Sequence, residues 1–162
     1  MKTIYLAGGC FWGMEAYYKL IDGIIDTEVG YANGNIENPR YEDLKAHIAS
    51  HAETLKITYD EKLIIIKDIL DAYMKVIDPY AINHQGEDYG VQYRTGIYSK
   101  DNKELELVRR YLKDKEKEYG KGHFNIEVEI LENFYPAEEY HQDYLDKNPH
   151  GYCHIDLNKY RK

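Results

Sequence analysis

Apolar positions along the chain follow two rhythms. Lys2–Ala7 is a short apolar run closed by Gly8-Gly9, while Ile24–Tyr31 and Ala52–Tyr59 alternate apolar with polar residues, the period of half-buried strands. Thr95–Tyr98 and Asn125–Leu131 read the same way. Helical spacing falls between them. Phe11–Leu20 has helical composition, and Leu63–Ile77 keeps Leu63, Ile66, Leu70, Tyr73, Met74 and Ile77 on one face before Asp78-Pro79 stops it. Glu104–Tyr119 reads as a charged amphipathic helix and Ala137–Leu145 as a short one. The order βαββαβ, followed by a further helix and strand, predicts an α+β fold: a ferredoxin-like α/β sandwich with additional elements and long irregular loops.

Three stretches, 32–49, 79–93 and 146–162, keep neither period, and long structureless connections in a compact domain are usually functional. At 162 residues the chain suits one domain spanning 1–162, with 146–162 read as a flexible C-terminal tail. Composition then removes classes of function. With 43% hydrophobic and 31% charged residues, the chain is neither disordered nor of low complexity. No apolar run approaches the ~20 residues of a membrane span, and the stretch in MKTIYLAGGCFWG is too brief for a signal peptide. A cytoplasmic protein is expected. A net charge of −8 disfavours phosphate backbones, so no nucleic-acid partner is expected. Two cysteines, Cys10 and Cys153, are too few for a disulfide scaffold or a zinc ribbon. Nothing demands a dimer, and a monomer is expected. Tyrosine is the outlier at 18 residues, most of them expected to be ordinary packing residues.

Candidate chemistry gathers in four places. In Gly8-Gly9-Cys10-Phe11-Trp12-Gly13, Cys10 stands at a strand-to-helix junction, where free N–H groups and the helix dipole favour a thiolate nucleophile. The alternative is a buried thiol acting as a small hydrophobe. Phe11 and Trp12 either wall an apolar pocket beside the sulfur or belong to the core. In Ser50-His51-Ala52-Glu53, Glu53 enters a strand among apolar neighbours. Desolvation there would raise its pKa and let it donate a proton, whereas an edge strand would leave it solvated. His47 and His51 are four apart but lack the His-Glu-x-x-His form, and no metal is expected. Gln85–Tyr93 is a polar, aromatic loop bounded by glycine, either a binding edge or a solvated connection. In the last stretch Cys153 is an incidental exposed thiol, part of a weak metal tract with His150 and His154, or a thiol able to reach Cys10.

The motifs GCFWG at 9–13, GYANG at 30–34, NPRYEDL at 38–44, HAE at 51–53, QGEDYGVQYRTGIY at 85–98, EEYHQDYL at 138–145 and NPHGYC at 148–153 occur in order. Together they make the chain resemble, nearly end to end, the A-class peptide methionine sulfoxide reductases, which reduce the S epimer of the sulfoxide. The resemblance implies that Cys10 is the nucleophile and that Phe11 and Trp12 hold the substrate methyl group. It implies that Glu53, Tyr41 and Tyr93 hydrogen-bond the sulfoxide oxygen, that Asp88 lines the same site, and that Cys153 is the recycling cysteine. It also implies a sulfenic acid on Cys10, a disulfide cleared by thioredoxin or a similar dithiol, an elaborated ferredoxin-like fold, and no bound cofactor. The chain departs from the family pattern at Ser50 and Asn33, where Gly is common, at Glu87, where Asn is common, and in having no third cysteine. A thiol peroxidase, which also passes through a sulfenic acid, and a non-catalytic peptide- or zinc-binding module are the competing classes.

Overall fold

The computed structural model describes residues 1–161. Its centre is a curled six-stranded sheet built from β1 (Lys2–Ala7), β2 (Ile24–Ala32), β3 (Ala52–Tyr59), β6 (Gly96–Ser99), β7 (Glu127–Ile130) and β8 (Phe134–Pro136). The spatial order is β7-β6-β1-β3-β2-β8; β6 and β7 run parallel and every other pair is antiparallel. The remaining elements are the helices α1 (Phe11–Tyr18), α2 (Tyr41–Lys45), α3 (Ile66–Val76), α4 (Asn102–Tyr119) and α5 (Tyr144–Lys147), with a small hairpin of β4 (His84–Gln85) and β5 (Asp88–Tyr89).

Strand alternation decides what each face meets. Ile4 and Leu6 of β1, Val29 and Tyr31 of β2, and Leu55, Ile57 and Tyr59 of β3 point to one side. There they bury against Phe11, Met14 and Tyr18 of α1, Ile69, Leu70 and Tyr73 of α3, and Val108 and Leu112 of α4. The other face carries a smaller cluster of Tyr5, Ala7, Ala32, Ala52 and Tyr98. The abundance of tyrosine follows from this core. Tyr17, Tyr18 and Tyr73 fill it with their rings while their hydroxyls donate to the carbonyls of Ala72, Ile69 and Ala7, at 2.8, 2.9 and 2.6 Å. A buried phenol with a carbonyl partner combines aromatic burial with a satisfied polar tip.

Several boundaries differ from the sequence reading. Helix α1 stops at Tyr18 rather than Leu20: Lys19 N–H still reaches Glu15 O, but the N–H groups of Leu20 and Ile21 close tighter turns onto Tyr17 O and Tyr18 O. The Lys19 ammonium there reaches across to Asp143 and Asp146. Helix α3 begins at Ile66 rather than Leu63: Asp60 gathers the N–H groups of Lys62, Leu63 and Ile64 into a turn, leaving Leu63 exposed. The stretch 32–49 is not wholly irregular, since it holds α2, and 79–93 holds the β4–β5 hairpin with Gly86 and Glu87 at its tip.

The helix expected over Ala137–Leu145 is not formed as such. A 3₁₀ turn spans Glu139–His141, Asp143 turns left-handed at φ 53°, and only Tyr144–Lys147 is α-helical. Side chains tie the segment down. Gln142 accepts from Val29 N–H and donates to Val29 O, and Glu138 accepts from Tyr31 Oη and Tyr41 N–H. The break itself lies in the backbone: Asp143 N–H donates to Glu15 Oε1 at 2.7 Å instead of continuing the helical ladder to Glu139 O, and Ala137 N–H is taken by Val29 O.

Arg94 pins the loops around the open end of the sheet. Its guanidinium donates to the carbonyls of Ser50, Val91 and Asn33 and pairs with Glu127 at 2.7 Å. Asn33 adopts φ 52°, a left-handed conformation that asparagine tolerates. Its side chain also accepts from Glu132 N–H at 2.7 Å. Arg94→Ala is expected to cost roughly 1–3 kcal/mol in urea unfolding, because it strands three carbonyls, while the partly exposed Glu127 carboxylate keeps Tyr98 Oη as a donor. The same change is expected to raise KM, since Tyr93 is the preceding residue.

Candidate active site

The site forms where β1 ends. Gly9 turns the chain at φ 85°, and Cys10 becomes the N-cap of α1 with its thiol 6% exposed. The N–H groups of Trp12 and Gly13 face the sulfur without closing a capping hydrogen bond. They pull its pKa down, as the sequence reading expects, but burial outweighs them, and Glu53 and Asp88 add to the upward push. The resting group is therefore a thiol rather than the thiolate that a helix N-terminus alone favours.

Glu53 lies on β3 opposite Tyr31 and points to the helical face of the sheet. It is 2% exposed, and its Oε1 accepts from Phe11 N–H at 3.2 Å, so a strand carboxyl sits at the first turn of the cysteine's helix. Burial pushes its pKa up to about 8, and Asp88 pushes the same way against the Phe11 N–H. At neutral pH this carboxyl holds its proton.

Tyr41 opens α2 and Tyr93 closes the 3₁₀ turn at Val91–Tyr93. Both are half-buried, both lie within electrostatic reach of Glu53, Cys10 and Asp88, and burial holds both phenols well above their ordinary range. Asp88, at the start of β5, accepts from Tyr152 Oη at 2.9 Å. Trp12 is half-buried; its ring stacks on Tyr144 at 3.8 Å and its Nε1 donates to His141 Nδ1 at 3.0 Å. Phe11 lies deeper, 1% exposed, against Tyr31 and His141. The fold thus brings six of the eight residues that the family resemblance implies around the sulfur of a seventh, Cys10.

The eighth, Cys153, is also close. Its Sγ lies 3.1 Å from the point where a Gly13 Cβ would stand, one turn of helix from Cys10, and both cysteines are free thiols. The stretch that carries it runs along the molecule: Ile155 is buried and Tyr160 packs edge-on against Tyr17 at 4.9 Å. The histidines do not form a metal cluster. His47 is exposed, His51 is fully buried, His150 is exposed, and His154 Nε2 meets Gly8 O at 3.1 Å. Among the described residues no group of three or more His, Cys, Asp or Glu side chains is placed to hold a metal ion. No described helix is long and apolar enough to cross a membrane.

The chain matches the family model described as peptide methionine sulfoxide reductase over residues 2–162. It belongs to that family. A Clostridium acetobutylicum protein named peptide methionine sulfoxide reductase MsrA is 54% identical over 155 residues, covering 96% of this chain and 95% of that one. Among solved structures, reduced Mxr1 from Saccharomyces cerevisiae superposes with a TM-score of 0.87 at 38% identity, over 94% of this chain and 88% of that one. The same yeast protein in complex with Trx2 gives a TM-score of 0.62 at 28% identity, over 88% of this chain and 84% of that one.

Reading residues one at a time misses the frame of the reductase site. His141 is fully buried and touches the rings of Phe11, Trp12, Tyr41 and Tyr140, while Tyr144 and Tyr152 hold Trp12 and Asp88. Their signal is the dense mixture of acidic, aromatic and histidine residues in EEYHQDYL and GYCH, too polar for the helix that its spacing suggests.

Proposed function

We propose that this chain reduces the S epimer of methionine sulfoxide, free or in proteins, and so repairs oxidised methionine. The observation that carries the reading is the meeting of a buried thiol and a buried, protonated carboxyl at one helix N-terminus, with two phenols beside them. A sulfoxide sulfur is electrophilic, but its oxygen leaves only when protonated. Cys10 Sγ attacks that sulfur as its thiol proton passes to the site, and Glu53 protonates the oxygen. The sulfur–oxygen bond of the substrate breaks and the oxygen passes to Cys10, leaving methionine and a sulfenic acid. The sulfoxide is reduced by two electrons, Cys10 is oxidised by two, and the thiol proton restores Glu53. Tyr41 and Tyr93 orient the oxygen, and Trp12 with Phe11 holds the methyl group. An aromatic contact for the methyl group together with proton donors for the oxygen would select one epimer. Asp88 borders the same space and raises the affinity of Cys10 and Glu53 for their protons.

Cys153 then condenses with the sulfenic acid, water leaves, and a dithiol such as thioredoxin reduces the disulfide; the yeast relative solved with Trx2 supports that last step. The strand order β6-β1-β3-β2, joined through α1 and α3, supports a ferredoxin-like core beneath these additions. The test is a single turnover of reduced protein on separated epimers of N-acetyl-methionine sulfoxide. Methionine from the S epimer alone is expected, with two thiols lost per turnover. Cys153→Ser is expected to keep that first turnover and impair thioredoxin-driven cycling. Methionine from neither epimer would overturn the reading.

A further inference from the structure

Two glycines of GGCFWG make room for one ring. A Cβ on Gly9 would stand 2.9 Å from His154 Nε2, and a Cβ on Gly13 would stand 3.0 Å from His154 Nδ1 and 3.1 Å from Cys153 Sγ. The imidazole therefore lies across the start of α1, with the sulfur of its sequence neighbour against the same glycine. That glycine's N–H also faces the Cys10 sulfur. The tautomer follows from the contacts: Nε2 can only donate to Gly8 O, at 3.1 Å, so Nδ1 carries the lone pair. Nδ1 is buried and has no hydrogen-bond partner among the described residues. A buried acceptor without a donor is costly, and such a group calls for an explanation.

We infer that His154 is the proton acceptor for Cys153 in the disulfide-forming step. This rests on the reading of Cys10 as the residue that becomes a sulfenic acid. Cys153 needs such a partner, because its thiol is half-buried and spends its S–H on Ile155 O at 3.2 Å. Burial pushes that thiol up and pushes the His154 ring down, so at neutral pH the ring is uncharged and able to take a proton. Nδ1 takes the Cys153 proton as Sγ attacks Cys10 Sγ. The Cys10 sulfur–oxygen bond breaks, the departing hydroxide collects the proton from Nδ1, and the products are a disulfide and water. Cys153 is oxidised, the sulfenic sulfur is reduced, and His154 returns to its starting form. The ionisable groups that face the ring are Asp88 from β5, which favours its protonated form, and Cys153 itself.

The test separates the two chemical steps in one experiment. His154→Gln keeps a donor for Gly8 O and removes the base. Mixed with one equivalent of the S sulfoxide, it is expected to release methionine within about twofold of the wild-type rate. Loss of the second thiol is expected to slow about 10²-fold, the usual scale of a general base. In the wild type this second step falls as pH drops and the ring protonates; in His154→Gln that acid limb disappears. His154→Gly, with space for a guest, is expected to recover the second step with added imidazole. Disulfide formation by His154→Gln at the wild-type rate, or slowed with the acid limb intact and no imidazole rescue in His154→Gly, overturns the inference. If wild-type protein released no methionine, the proposed activity would fail on its own. The sulfenic acid would then be made with one equivalent of hydrogen peroxide, and the second step read in the same way.

Discussion

Exchange of Cys10 for serine is expected to abolish methionine formation, to below a few per cent of wild type, in a protein that folds normally. The loss follows from the chemistry: a hydroxyl is a far weaker nucleophile than a thiol, and no sulfenic acid can form on oxygen. The second thiol cannot substitute, because Glu53 is held at the start of α1, where its Oε1 accepts from Phe11 N–H, whereas Cys153 packs against Gly13. The fold is expected to survive because Cys10 makes no capping hydrogen bond, whereas serine is a favoured N-cap residue worth about 0.5–2 kcal/mol over a non-capping one. Thermal unfolding should be unchanged or shifted slightly upward. Turnover by Cys10→Ser above a few per cent would move the nucleophile elsewhere.

Glu53→Gln is expected to separate activity from stability. Glutamine keeps an oxygen for Phe11 N–H but has no proton of suitable acidity, so single-turnover methionine release should slow ~10²-fold or more. Stability moves the other way. A carboxyl raised from the ordinary range to about 8 resists ionisation in the folded protein, so folded Glu53 holds a proton that the unfolded chain has released. Between those two pKa values stability falls as pH rises, which at pH 7 costs on the order of 3 kcal/mol that glutamine does not incur. The variant should melt higher, at roughly 2–4 °C per kcal/mol for a chain of this size. For the wild type, the first step should decline above about pH 8 as Glu53 ionises; glutamine should remove that decline. A wild-type rate in Glu53→Gln would place the proton donor elsewhere.

Sequence pattern alone located the long strands well, since β3 runs over Ala52–Tyr59 as its alternation indicates. It failed where side chains rather than periodicity choose the backbone. EEYHQD has helical composition, yet the Glu15 carboxylate takes the Asp143 N–H out of the helical ladder and the segment divides into turns. β8 and the β4–β5 hairpin are two or three residues long, too short to show any period. At the site, the residue types pointed to Cys10 and Glu53, and burial explains why both hold their protons where a helix terminus and a solvated strand would suggest charge. In the sequence His141 figures only within a motif and His154 only as part of a weak metal tract, because their meaning lies in contacts across more than a hundred residues of chain.

Trp12 is the single tryptophan of the chain, and it sits in the first turn of α1 between His141 and Tyr144. Selective excitation of the indole therefore reports from the reaction centre and from nowhere else in the protein. The site carries its own fluorophore, so the proposed substrate entry, Cys10 oxidation and disulfide closure would each be read in unlabelled wild-type protein as it works.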